Sequence, residues 1–173
     1  MRHASALAIA LVATAALAGG AAAQGFGADP IYDSQLFNFE GFYAGVQGGA
    51  AWLPGPGVVG TVAAVAGVNF ALSDAMLAGL EFQGGASING TGVTGIDVLL
   101  LGHAGFYLTN DLMAYVAAGG GLVNGTGSYA LGGGVEYPIA DQLSVRAEIL
   151  GTGNWIALPS GVRASAGVLF HMN

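Results

Sequence analysis

The chain has 173 residues and a formal charge of −7; 54% of it is hydrophobic, only 8% is charged, and it has no cysteine. Ordinary soluble domains carry about 25% charged residues, so a single domain this poor in charge needs lipid or another chain over its apolar surface. The composition also excludes disulfides and thiolate metal sites, collagen, since the 32 glycines have no three-residue period, and nucleic-acid binding, which rewards basic patches.

Residues 1–23 read as a secretory signal peptide. Arg2 and His3 form the polar start, and Ala6 to Leu17 the apolar stretch. Ala21-Ala22-Ala23 supplies the small residues for cleavage between Ala23 and Gln24. The apolar stretch is short for a membrane anchor. Removing it takes the charge from −7 to −8, because Arg2 leaves with it. Residues 24–41, from Gln24 to Gly41, are predicted to be an N-terminal periplasmic linker. They hold Asp29, Asp33 and Glu40, and Pro30 discourages regular structure.

From Phe42 the pattern repeats, and residues 42–173 are predicted to form one unit. Eight strands are expected: Phe42–Trp52, Val58–Leu72, Ala75–Ser87, Gly95–Leu108, Leu112–Val123, Ser128–Pro138, Leu143–Thr152 and Val162–His171. Three breaks are tight and carry an aspartate: "LSDAM" at 72–76, "LTNDLM" at 108–113 and "IADQLS" at 139–144. The other four, "LPGPGV", "INGTGVT", "NGTG" and "NWIALPSG", are rich in Gly, Pro and Asn, the residues of turns. The runs between breaks are too short to cross a bilayer as helices, which need ~20 residues, but long enough as tilted strands, which need ~9–11.

Parity supports the same reading, because alternate side chains of a strand face opposite sides. Met76, Leu80 and Phe82 share one face, and Glu81 and Gln83 the other. Ile96, Val98, Leu100 and Phe106 oppose Asp97 and His103; Val145 and Ile149 oppose Arg146 and Glu148; Val162, Val168 and Phe170 oppose Arg163. With Tyr137 outward, Glu136 is inward. A Lys or Arg facing lipid near the midplane costs ~2–4 kcal/mol, Asp or Glu somewhat less. The fold class expected is therefore all-β: an eight-stranded antiparallel up-and-down transmembrane β-barrel with short loops. Aromatics bracket the strands as a girdle would: Phe42, Phe70, Phe106, Tyr137 and Phe170 near the acidic turns, Trp52, Tyr129 and Trp155 at the other rim. A multi-helix inner-membrane protein, with "VVGTVAAVAGVNFAL" and "LMAYVAAGGGLV" as spans, and a soluble lipocalin-like barrel are the alternatives.

The segment "FEGFYAGVQGGAAW", following a signal peptide and a short linker, resembles the first strand of the small opacity-type and outer-membrane-protein-A-type porin-family barrels of Gram-negative bacteria. The resemblance covers Phe39 to Phe170. It implies an outer-membrane location and insertion by the barrel assembly machinery, read partly from a terminal aromatic residue. Phe170 is the match, although His171, Met172 and Asn173 follow it. The family's long extracellular loops are missing, which weakens an adhesive role. Short turns belong to the periplasmic side in such barrels, so both termini are expected there. A monomer in outer-membrane lipid is favoured.

The candidate site is the predicted lumen, with Glu81, Asp97, His103, Glu136, Arg146, Glu148 and Arg163. A turn centred on Asp141 sets Glu136 opposite Arg146 as an opposite-charge pair. Glu148 is expected near Arg163, and Glu81 near His103. These groups serve either as a polar gate or as fastenings of a filled interior, since eight strands leave a bore that side chains can fill. Four carboxylates against two guanidiniums would favour cations if water passes. Gly119 and Gly121 are expected beside Gly132 and Gly134, leaving a notch for a small ligand or for Tyr43, Tyr115 or Arg146. Catalysis finds little support: Asp97 and His103 lie about 20 Å apart along one strand at 3.3 Å per residue. No metal-ligand or cofactor-binding pattern occurs. The function expected is a structural barrel contributing to envelope integrity, with at most minor passive permeation, or alternatively a passive, weakly cation-preferring porin.

Overall fold

The computed structural model describes residues 37–172 other than 56, 110 and 157. Eight strands run through them: β1 (Gly41–Leu53), β2 (Gly57–Ser73), β3 (Met76–Asn89), β4 (Gly92–Tyr107), β5 (Met113–Val123), β6 (Thr126–Ala140), β7 (Leu143–Asn154) and β8 (Gly161–Met172). Each pairs antiparallel with its neighbours in sequence, and β1 also pairs with β8, so the sheet closes on itself. Closure leaves no row of unpaired backbone groups, which a lipid phase could not satisfy. The expected signal peptide and the two residues of its cleavage site, Ala23 and Gln24, lie outside the described residues. So does the expected linker from Gln24 as far as Leu36. Among the described residues no helix is long and apolar enough to cross a membrane. The two segments considered above as helical spans fall within β2 and, apart from Leu112, β5.

Polarity is inverted. Leu80, Phe82, Leu100 and Ile149 are more than half exposed, whereas their odd- or even-numbered neighbours Glu81, Gln83, Leu99 and Glu148 are buried. All six charged strand residues, Glu81, Asp97, Glu136, Arg146, Glu148 and Arg163, are buried on the inner face. A soluble lipocalin-like barrel would need the opposite, a polar outer face.

The acidic turns lie at one end and the glycine-rich loops at the other. Most strands extend one to three residues beyond their predicted ends, because the hairpins are tighter than the composition of the breaks implied. "NGTG" is the clearest case. Asn124 and Gly125 both take positive φ, 50° and 75°, the type I′ geometry whose twist matches two right-twisted strands. Two residues therefore complete the turn, and Thr126 already belongs to β6. The register moves by two as a result. Gly119 faces Ala130 and Gly121 faces Ser128, while Gly132 faces Ala117 and Gly134 faces Tyr115. The glycine pairs expected side by side are thus apart, and no shared notch forms between them.

Candidate functional site

The lumen is filled in two unlike halves. Near the acidic turns the centre is Arg146, on β7. Its Nε and Nη2 donate to Glu136 Oε2 at 3.1 and 2.9 Å, and its Nη1 donates to Glu81 Oε2. Glu136 is on β6, next door, and is the Cα partner of Arg146. Glu81 is on β3, so the guanidinium spans the bore. Tyr43 and Tyr115 lie against the cation, with ring centroids 5.2 and 5.0 Å from its Cζ, a range in which the ring faces attract it. Tyr43 also donates to Glu81 at 2.5 Å. One cation thus ties β7 to β6 and β3 while touching rings from β1 and β5.

The inner glycines make room for these rings. Tyr43 stands opposite Gly67, and Tyr115 opposite Gly134. A Cβ at Gly134 would lie 2.7 Å from the Tyr115 oxygen, and one at Gly67 would meet the Tyr43 oxygen closer still. Each ring therefore lies across its partner strand where only a hydrogen can stand. His103 is likewise set over its partner Gly79.

Glu81 and His103 do not pair. His103 Nε2 meets Asn69 Oδ1 at 2.7 Å, while Glu81 takes Tyr43, Gln83 and Arg146. The reason is register: the partner of His103 is Gly79, and that of Glu81 is Leu101. Glu148 and Arg163 approach to 3.7 Å, but Arg163 Nη2 donates to Gln83 Oε1. Glu148 is held by Tyr115 at 2.9 Å and Gln83 at 3.1 Å. Asp97 stands apart near the loop rim and accepts the Asn124 backbone N–H at 3.1 Å.

Ser144, His171 and Glu136 meet inside the turn end. The Ser144 hydroxyl donates to Glu136 Oε1 at 2.6 Å, and His171 Nε2 lies 2.8 Å from that oxygen and 3.2 Å from the hydroxyl. The chemistry of a nucleophile needs the imidazole between serine and carboxylate, with the carboxylate orienting its other nitrogen. Here one nitrogen faces both groups, the carboxylate already holds the serine proton, and all three residues are fully buried. The cluster fastens β6, β7 and β8. Among the described residues no three His, Asp or Glu side chains form a metal-holding group.

Two residues from the stretch assigned to the linker reach the lumen. Phe39 is fully buried and packs in one cluster with Leu77, Met113 and Tyr115. Its carbonyl accepts from Asn69 Nδ2 at 2.8 Å. Phe37 packs on Phe39, with centroids 4.6 Å apart, and on His171 at 5.0 Å. Together with Tyr107, whose ring is 5.7 Å from Phe39, they form an aromatic group at the acidic-turn end. The sequence carries a signal for this: Phe37, Phe39 and Tyr43 share odd parity with the inner face of β1.

The loop half is less complete. Among the described residues, Gln47 Nε2, Ser87 Oγ and Arg163 Nε there are buried without a hydrogen-bond partner; His171 Nδ1 is the corresponding atom in the turn half. Outside, Phe42, Phe70, Phe106, Tyr137 and Phe170 are exposed at the turn end, and Trp52 and Trp155 at the loop end.

Among solved structures the chain is similar to one from de novo design of transmembrane β-barrels, with TM-score 0.52 and 18% identity over 77% of this chain and 97% of that one. Two KdgM porin structures, one in complex with disordered oligogalacturonate, align with TM-scores of 0.39 and 0.37 and identities of 10% and 11%. These cover 76% of this chain and 99% and 98% of theirs. No protein-family model and no curated protein matches the chain. The likeness to the designed barrel is one of fold, and with strand closure and inverted polarity it makes this chain an eight-stranded, antiparallel, up-and-down transmembrane β-barrel.

Proposed function

We propose that the chain is a structural barrel of a Gram-negative outer membrane, inserted as a monomer by the barrel assembly machinery and contributing to envelope integrity. In this reading the acidic turns and both termini are periplasmic, and the outward aromatics sit at the two membrane interfaces. The observation that carries it is the presence of two layers of side chains set across the bore. Arg146 is braced across the lumen between Glu81 and Glu136, and Phe39 and Phe37 pack into the mouth beyond it. A narrow, weakly cation-preferring porin is the second reading, favoured by the buried polar atoms without partners in the loop half and by four inner carboxylates against two guanidiniums.

Planar-bilayer conductance decides between them. The purified barrel is expected to show no steady openings, and Arg146→Ala combined with Phe39→Ala is expected to produce them. Steady wild-type openings whose conductance or cation preference changes in Glu136→Ala would overturn the closed reading and establish the porin.

A further inference from the structure

The connection between β7, which ends at Asn154, and β8, which starts at Gly161, is the longest at its end of the barrel. Two of its residues, Trp155 and Pro159, lie against the outside of the barrel. Trp155 lies against outward glycines of β5 and β6: a Cβ at Gly120 would stand 2.5 Å from its ring, and one at Gly127 3.8 Å from its Nε1. The ring also packs on Tyr129, with centroids 6.2 Å apart. Further along, Pro159 covers Gly151 and Gly153, at 3.5 and 3.1 Å from their would-be Cβ positions. Gly153 is consequently buried although it belongs to the lipid-facing side of β7. The Ser160 N–H donates to the Thr152 carbonyl at 2.9 Å and closes the loop.

Between Trp155 and Pro159 in the chain stand the most exposed large apolar side chains among the described residues. Ile156 is fully exposed and Leu158 87% exposed, and residues 154–161 include no charged group. The β1–β2, β3–β4 and β5–β6 turns at the same end consist of Pro, Gly, Thr and Asn. Water gains nothing from a loop of this chemistry held against an apolar wall. Acyl chains do, and Leu122, Leu131 and Ile149 are likewise exposed on the outward faces of β5, β6 and β7. We infer that the β7–β8 loop is a membrane anchor: Trp155, Ile156 and Leu158 insert among the upper acyl chains of the leaflet at the loop end. Trp155 occupies the interfacial level suited to an amphipathic ring, and the two aliphatic side chains point into lipid. The anchor depends on the membrane-spanning fold and not on whether the lumen conducts.

The two tryptophans make the test direct, since the chain has only Trp52 and Trp155. Trp52→Phe leaves Trp155 as the sole reporter, and Trp155→Phe leaves Trp52. Each is reconstituted in phosphatidylcholine vesicles, either plain or brominated at a shallow acyl position, and titrated with acrylamide. Trp155 emission is expected to be blue-shifted, to fall strongly with brominated chains, and to resist acrylamide. Ile156→Asp with Leu158→Asp is expected to reverse that pattern while leaving the heat-dependent gel shift of the closed barrel in place. If acrylamide quenches Trp155 like free tryptophan while brominated chains quench Trp52, the loop is in water and the anchor is wrong. If Trp155 resists both quenchers and the barrel cross-links as a dimer, a second copy covers the patch and the anchor is equally wrong. If neither tryptophan responds to brominated chains, the membrane-spanning reading falls with it.

Discussion

The two halves of the lumen use the same residue types to different ends. In the turn half, Arg146 uses three donor nitrogens, and its carboxylates are further held by Tyr43, Gln83, Ser144 and His171. Rings fill the spaces left by glycine. In the loop half, Arg163 has one close partner, Gln83, and its Nε has none. Gln47 accepts a long bond of 3.4 Å from Ser165 and leaves its own amide nitrogen without an acceptor. A buried charge is tolerable only when its lone pairs and protons are met, so the first half is built to be dry. The second half holds polar groups that water would complete. An arginine on an inner strand face is therefore not one kind of feature: its partners decide whether it is a brace or a lining.

The sharpest way to break this distinction is to remove each arginine in turn. Arg146→Ala strands Glu81 and Glu136 in a dry interior and is expected to cost ~3–5 kcal/mol, the usual penalty for breaking a buried charge set. Arg163→Ala removes the bond to Gln83 and the 3.7 Å approach to Glu148, which keeps its bonds to Tyr115 and Gln83, so its expected cost is smaller, ~1.5–3 kcal/mol, that of a hydrogen bond to a charged group. Urea unfolding in lipid vesicles reads both. Equal losses would mean that the halves do not differ. Next in size is Phe39→Ala, expected to lose about 3 kcal/mol as a buried aromatic truncation. The same change at half-buried Phe37 is expected to lose less. A silent Phe39→Ala would show that the segment before β1 is only a tail.

The barrel itself could be read from parity, because a lipid face tolerates almost no charge and the chain's six strand charges select one register. The Glu136–Arg146 pairing could also be read by centring the turn on Asp141; the turn itself is Asp141 and Gln142, and a one-residue register shift between Pro138 and Ala140 sets Glu136 opposite Arg146. What lay beyond reach was everything across the bore. Arg146 meets Glu81 at a separation of 65 residues, and such contacts depend on the stagger of the closed sheet, which no local spacing encodes. Parity alone sets His103 beside Glu81, whereas its hydrogen-bond partner is Asn69 on β2, two strands away. Phe37 and Phe39 were obscured by their neighbours: Pro30 and scattered acidic residues made the segment look like a linker, although the two rings continue the inner alternation that leads to Tyr43.

The smallest expected effect is the most discriminating, because here the sign of the change matters more than its size. Asn69 and Gln47 are both buried amides on inner strand faces. Asn69 is fully used: its nitrogen holds the Phe39 carbonyl and its oxygen meets His103. Asn69→Leu leaves both of those groups without partners and is expected to cost ~1–3 kcal/mol. Gln47→Leu removes an amide nitrogen that has no acceptor and an oxygen bonded only by the long Ser165 contact. Its expected effect lies within about 1 kcal/mol of zero and is stabilising if the site is dry, since an unsatisfied polar group is replaced by an apolar one of similar shape. A loss for Gln47→Leu as large as that for Asn69→Leu would show that ordered water already completes the loop half. The polar atoms there would then belong to a network as saturated as the one around Arg146, with solvent in place of side chains.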